Sequence, residues 1–296
     1  MSDGALDSKS NFTIGNVRPA RTTSSVFELF SLKGRTVVVT GAAAGIGLAA
    51  AEAYAEAGAN VAITYNSNET AHKAAEELAK QFNVKSKAYQ LNIDSNDDVV
   101  RVIDTIVHDF NGRLDVFVAN SGIPWTQGAA LGGEVSHYQK VVHTDLDGTY
   151  YCALAAGKYF RRQHLEGTDV NGNSLGPSYT GGSFIATASI SGRIVNIPQL
   201  QTAYNAAKAG VAHMCRSLSI EWVKFARVNS VSPGYIATEI SNFIPEETKV
   251  IWRSKIPMGR EATPSELKGA YLYLGSDASS YTTGQDIVVD GGYTVY

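Results

Sequence analysis

The amino-acid sequence predicts an α/β fold: one doubly wound domain whose parallel sheet is covered by helices on both faces. Three observations lead there. Short β-branched runs alternate with segments of helical spacing along almost the whole chain. The strand runs are apolar nearly throughout instead of at every second residue, as in strands buried on both faces. A glycine-rich turn joins the first strand to the first helix, at the edge where such sheets bind ligands. A length of 296 residues would by itself suggest two domains. The unbroken succession of elements, with no linker inside it, points instead to one domain over residues 31–296.

The elements follow in order. Residues 1–30 are read as a flexible tail, since the stretch to about residue 26 is rich in Ser, Thr and Asn and has no period. Asp3 and Asp7 break the acid-poor pattern of a transit peptide, and residues 1–20 contain no apolar signal-peptide core. Residues 36–40 (TVVVT) form the first strand, and an Ala-rich helix runs to Ala57, with Gly58 where a terminating glycine belongs. Strands are predicted at 60–65, 85–91 and 114–119, with helices at 70–82 and from about 96 to 110. A long helix from about 135 to 160 precedes a strand at 183–187. A helix from 204 to about 225, a strand at 227–231 and a final strand at 286–289 complete the order. Residues 167–182 carry five glycines and Pro177, and are read as a surface loop insertion.

Composition narrows the function. Hydrophobic residues make up 44%, enough for a full core, and 25 basic against 28 acidic residues leave a net charge of −3. No basic excess exists to hold nucleic acid or an anionic membrane. The longest uncharged stretch near the N-terminus, residues 36–51, is shorter than the about 20 residues of a membrane span. Two cysteines, Cys152 and Cys215, cannot frame a disulfide scaffold, and they fall within helices as packing residues. The six histidines show no H-x-x-x-H pair or His/Cys cluster, so no metal site is expected. A soluble, cytoplasmic protein is expected.

The turn Thr40-Gly41-Ala-Ala-Ala-Gly45-Ile46-Gly47 has the spacing G-x-x-x-G-x-G. Glycine lets backbone approach a pyrophosphate, and the helix N-terminus offers free N–H groups and a favourable dipole. Binding of a dinucleotide cofactor is expected there. An acidic residue at the end of the second strand would hold the ribose of NAD. Here that end reads Tyr65-Asn66-Ser67-Asn68, without a carboxylate before Glu69. Neutral Asn66 and Ser67 leave a 2′-phosphate unrepelled, which favours NADP(H).

Tyr204 and Lys208 share one face of a predicted helix at i, i+4. An ammonium beside a phenol favours the phenolate, and such a pair suits proton transfer to a substrate oxygen.

These motifs, with Asn120-Ser121-Gly122, Ser189-Ile-Ser-Gly192, Pro233-Gly234 with Thr238, Thr283-Gly284 and Asp290-Gly291-Gly292, resemble the short-chain dehydrogenase/reductase family over about residues 32–296. The finer texture is similar to its fungal branch of NADP-dependent mannitol 2-dehydrogenases, sorbose reductases, L-xylulose reductases and carbonyl reductases. The resemblance implies a Rossmann-type domain that reduces a ketone, such as a ketose or another small carbonyl compound, with NADPH. Polyol oxidation would be the reverse reaction. It implies Tyr204 as general acid, Lys208 on the nicotinamide ribose and lowering the pKa of Tyr204, and Ser189 on the substrate oxygen. Gly41, Gly45, Ile46 and Gly47 would hold the pyrophosphate, Asn120 and Gly122 would border the cofactor, and Asn92 and Ile93 the adenine. Pro233, Gly234, Ile236 and Thr238 would lie at the carboxamide end. Two departures stand out: Asp145 occupies the position of the family's proton-relay Asn, and Ser189 lies farther from Tyr204 than usual, which keeps Ser191 as an alternative. Residues 239–255, with Phe243, Ile244 and Trp252, would form a substrate lid, and the assembly would be a homotetramer. Two other functions fit the same motifs: reduction of a bulkier secondary-metabolite or acyl ketone, and a catalytically silent dinucleotide sensor.

Overall fold

The computed structural model describes residues 25–176, 179–241 and 244–295. Residues 1–24, most of the expected tail, lie outside them. The tail expected over 1–30 does not run to its bound, because α1 (Val26–Leu29) forms a helical turn. Then come β1 (Thr36–Val39), α2 (Gly45–Glu56), β2 (Asn60–Tyr65), α3 (Thr70–Phe82), β3 (Ser86–Gln90), α4 (Asn96–Asp109) and β4 (Val116–Ala119). The second half contains α5 (Val135–Val142), α6 (Gly148–Glu166), β5 (Gly182–Thr187), α7 (Thr202–Glu221), β6 (Ala226–Pro233), α8 (Glu246–Lys255), α9 (Lys268–Gly275) and β7 (Asp286–Val289).

All seven strands are parallel, in the order β3-β2-β1-β4-β5-β6-β7. The chain winds outward from β1 through β2 to β3, then returns to place β4 on the other side of β1. The reversal opens a crevice between the carboxyl ends of β1 and β4. Alternation along β1 shows why its run is apolar throughout. Val38 joins one core with Phe117, Phe160 and Phe184, beneath α4, α6 and α7. Val37 and Val39 join the other with Tyr54, Ile63 and Tyr271, beneath α2, α3 and α9. Each fully buried valine contributes about 1.5–3 kcal/mol relative to exposure.

The long helix expected from 135 to 160 is not uniform. A π-helical turn, His143–Asp147, interrupts it, and α6 continues to Glu166. Gly167 ends α6 with φ +66°, the left-handed position that favours glycine. The π-turn holds Asp145 fully inside the protein. The following loop is tied down by Asp169, whose carboxylate accepts from the N–H groups of Asn171 and Asn173 and from Asn173 Nδ2. Cys152 and Cys215 are buried, and burial pushes both thiols up to about 12. Among the described residues no helix is long and apolar enough to cross a membrane.

Candidate active site

A cavity of about 590 Å³ lies along the carboxyl edge of the sheet. The strand order arranges its walls. Asn92 and Ile93 follow β3, Asn66 follows β2, the glycine turn follows β1, and Asn120 follows β4. Ser189 follows β5, and the segment from Pro233 to Thr238 closes β6.

The glycine turn fits a dinucleotide. Gly41 and Gly45 adopt φ of +61° and +59°, conformations that other residues rarely take. A Cβ on Gly47 would lie 2.5 Å from Gly41 O and 2.6 Å from Asn120 Nδ2. Ala44 precedes the helix without a side-chain cap, so the N–H groups at the start of α2 face the cavity side uncovered, ready for a phosphate. The Thr40 hydroxyl oxygen accepts from the N–H groups of Asn120 and Ser121 at 2.9 and 3.0 Å. Asn120 Nδ2 in turn donates to Thr40 O and Gly41 O. Asn120 therefore fastens the glycine turn to the end of β4.

Of the residues read as cofactor contacts, Gly41, Ile46, Gly47, Asn66, Asn92, Ile93, Asn120, Gly122, Pro233, Gly234, Ile236 and Thr238 line the cavity. Gly45 and Ser67 do not. Gly45 shapes the turn, and a Cβ on it would lie 3.5 Å from the Thr238 methyl group. Ser67 is exposed on the turn after β2. The terminal Asp290-Gly291-Gly292 motif braces the far wall, since a Cβ on Gly234 would come within 2.7 Å of Asp290 Cα.

The titratable groups meet where β5, α7 and the π-turn converge. Helix α7 carries Tyr204 and Lys208 on one face, with Lys208 Nζ 5.4 Å from the Tyr204 ring centroid. Lys208 is 3% exposed. Its ammonium donates to Thr187 O at 3.2 Å and ion-pairs with Asp145 Oδ2 at 3.1 Å. Asp145 Oδ1 accepts from the Ile123 N–H at 2.7 Å, and a Cβ on Gly122 would fall 2.9 Å from Asp145 Oδ2. A side chain at that position would displace the buried carboxylate.

The electrostatics depart from the simple ammonium–phenol picture. Burial raises the Tyr204 phenol above its ordinary value, against the pull of Lys208 and the Ser189 hydrogen bond, and the Asp145 charge raises it further. Burial works against the Lys208 charge, yet Asp145 and Tyr204 hold its pKa above the ordinary lysine value. Burial also raises the Asp145 carboxyl, opposed by Lys208 and the Ile123 N–H. Lys208 thus acts on the phenol with much of its charge already matched by Asp145.

The two serines are differently engaged. Ser189 acts to lower the pKa of the Tyr204 phenol, and its hydroxyl oxygen accepts from the Ser191 N–H at 3.1 Å. The Ser191 hydroxyl oxygen instead accepts from Gln201 Nε2 at 2.9 Å. Ile244 and Trp252, within the residues expected to form a lid, also line the cavity, while Phe243 lies outside the described residues. Sequence reasoning missed Asn196, Gln201 and Tyr235, which line the cavity beside them. They sit in irregular segments, where no period marks an inward-facing side chain. Among the described residues no group of three or more His, Cys, Asp or Glu side chains is placed to hold a metal.

Known proteins resemble this chain over most of its length. A family model described as enoyl-(acyl carrier protein) reductase matches residues 41–294. The chain is 61% identical over 270 residues to an L-xylulose reductase of Hypocrea jecorina, covering 91% of this chain and 93% of that protein. It is 51% identical over 280 residues to an NADP-dependent mannitol dehydrogenase of the same species, covering 94% and 98%. The crystal structure of an NADPH-dependent 3-quinuclidinone reductase from Rhodotorula rubra superposes with a TM-score of 0.85 at 40% identity, covering 94% of this chain and 98% of the other. The motifs, the doubly wound sheet and these likenesses together place the chain in the short-chain dehydrogenase/reductase family.

Proposed function

We propose that the protein reduces a ketose or similar small carbonyl compound with NADPH, and oxidises the corresponding polyol in reverse. The observation that carries this reading is the Tyr204 phenol, backed by Lys208 and sharing with Ser189 the cavity of the glycine cradle. The relatives named for L-xylulose reduction and NADP-dependent mannitol oxidation support it. So does the turn after β2, where Asn66 presents no carboxylate to a 2′-phosphate.

NADPH, when bound, supplies the hydride. Ser189 donates a hydrogen bond to the carbonyl oxygen and stabilises the charge that develops there. Tyr204 gives its proton to the same oxygen. Lys208, held by Thr187 O and Asp145, stabilises the phenolate left behind. Ser189 takes the substrate role because it acts on the Tyr204 phenol, whereas Ser191 belongs to the chain through Gln201. Asp145 holds Lys208 in place in this scheme. The segment around α8 covers the substrate. The exposed apolar side chains Val135, Tyr138 and Tyr150 on α5 and α6 suit helix pairing in a cytoplasmic homotetramer, which a native mass measurement tests.

The test of the activity is NADPH or NADH with a panel of ketoses and bulkier ketones. Reduction of ketoses with a clear preference for NADPH is expected. Equal or better turnover with NADH removes the NADP assignment. Turnover confined to bulky or acyl ketones removes the ketose assignment. NADPH binding without turnover on any carbonyl would make the protein a dinucleotide sensor.

A further inference from the structure

The substrate side of the cavity sets buried amides beside its apolar side chains. The strand order separates it from the cofactor side: Asn66 and Asn92 lie beyond β2 and β3, whereas Tyr235 follows β6 at the opposite end. A pocket for an acyl chain or an aromatic ketone would be walled mainly by aliphatic side chains. Here two amides are buried in the wall, Asn196 at 2% exposure and Gln201 at 8%. Burial of an amide is unfavourable unless its polar atoms find partners. Gln201 Nε2 donates to Ser191 Oγ at 2.9 Å and to Asn196 Oδ1 at 2.6 Å, and Asn196 Nδ2 donates to the Tyr235 hydroxyl at 3.1 Å. The chain fixes the direction of each group. Ser191 accepts within it, which leaves its hydroxyl proton to be donated into the cavity, and the Gln201 carbonyl oxygen remains an acceptor.

A second, independent observation points to a ligand. The indole N–H of Trp252 is buried without a hydrogen-bond partner, although Trp252 is 3% exposed and lines the cavity. A buried donor of this kind calls for an acceptor. Trp252 also stacks on Tyr235, with ring centroids 4.1 Å apart and planes 17° apart, so a flat apolar face adjoins the polar chain. Glu239 and Glu261 line the same cavity, Glu261 paired with Arg253 at 3.2 Å, so the charge of Glu239 is the one that disfavours an anion beside it.

We propose that Asn196, Gln201, Tyr235 and Trp252 form a subsite that reads the hydroxyl groups of an open-chain, uncharged polyhydroxy ketone at the carbons beyond its carbonyl. This rests on the reduction proposed above. The polar chain and the Trp252 N–H meet the hydroxyls, and the aromatic stack meets the C–H face between them.

The test compares kcat/KM for a ketopentose and for 2-pentanone, which has the same carbon chain without the additional hydroxyls, both with NADPH. The wild-type protein is expected to favour the ketopentose by about 100-fold or more, since a site built to pair hydroxyls rejects an analogue without them. Trp252→Phe keeps the stack and removes the N–H, and Gln201→Met removes the amide. Each is expected to lower the ratio of the two kcat/KM values by about tenfold, mainly through KM for the ketopentose. The two variants keep the test decisive if one fails to fold. A wild-type protein that reduces both ketones equally, or variants whose ratio is unchanged, would overturn the subsite. Failure to reduce either ketone would overturn the proposed reduction, and the subsite with it.

Discussion

Lys208 Nζ lies 3.1 Å from Asp145 Oδ2, and Asp145 is wholly inside the protein. The ammonium that backs the Tyr204 phenol therefore shares its charge with a buried carboxylate. The π-turn His143–Asp147 holds that carboxylate in place, and Gly122 leaves room for it.

Asp145→Asn tests what the pair does to the proton donor. The charged groups around the phenol are Lys208 on the same helix and Asp145 on the π-turn, with Asp94 near Asp145. The Asp145 charge raises the pKa of both Tyr204 and Lys208, so its removal lowers both. Alcohol oxidation needs the phenolate, and its pH profile is expected to move to lower pH, as is the alkaline limb of ketone reduction. Profiles measured for kcat/KM in both directions check this. An unmoved profile would show that Asp145 does not act on the phenol.

Gly47→Ala tests the cradle. The added methyl group would press on Gly41 O and Asn120 Nδ2, and such overpacking costs about 1–3 kcal/mol. NADPH affinity, followed by fluorescence titration, is expected to fall about tenfold or more, with some loss of thermal stability. Unchanged affinity would place the pyrophosphate elsewhere.

The two serines are separable. Ser189→Ala removes a donor at the reacting oxygen and is expected to lower kcat by about 10²–10³. Ser191→Ala disturbs the chain through Gln201 and is expected to act mainly on KM for the ketose. Steady-state kinetics on both variants decide between them. An equal loss of kcat would contradict the assignment.

Much of this architecture is written locally. Strands buried on both faces must be apolar throughout, so β1 and β2 are legible from composition alone. Helix α3 is legible from its spacing and β7 from its run, each with bounds equal to those expected. The pairing of Tyr204 with Lys208 follows from i, i+4 geometry. What escaped the sequence is set by contacts between distant segments. The π-turn is one case: Gly148, where the helix resumes, sits so close to Ile93 that a Cβ would contact its side chain and backbone oxygen at 3.1 Å. Nothing in residues 143–147 alone announces it. Asn196 and Gln201 are another, because their inward orientation depends on Tyr235 and Ser191. Ser67 adjoins Asn66 in sequence, but the turn after β2 leaves only Asn66 in the cavity wall.

The central claim is that Tyr204 protonates a ketone reduced with NADPH. Oxidation of NADPH on addition of a ketopentose, recorded side by side for the wild-type protein and Tyr204→Phe, tests it most directly. The account predicts turnover by the wild-type protein and a loss of about 10²–10⁴ in kcat for the variant, with NADPH binding retained. A wild-type protein inert toward every ketose, or a variant as active as the wild type, would contradict it.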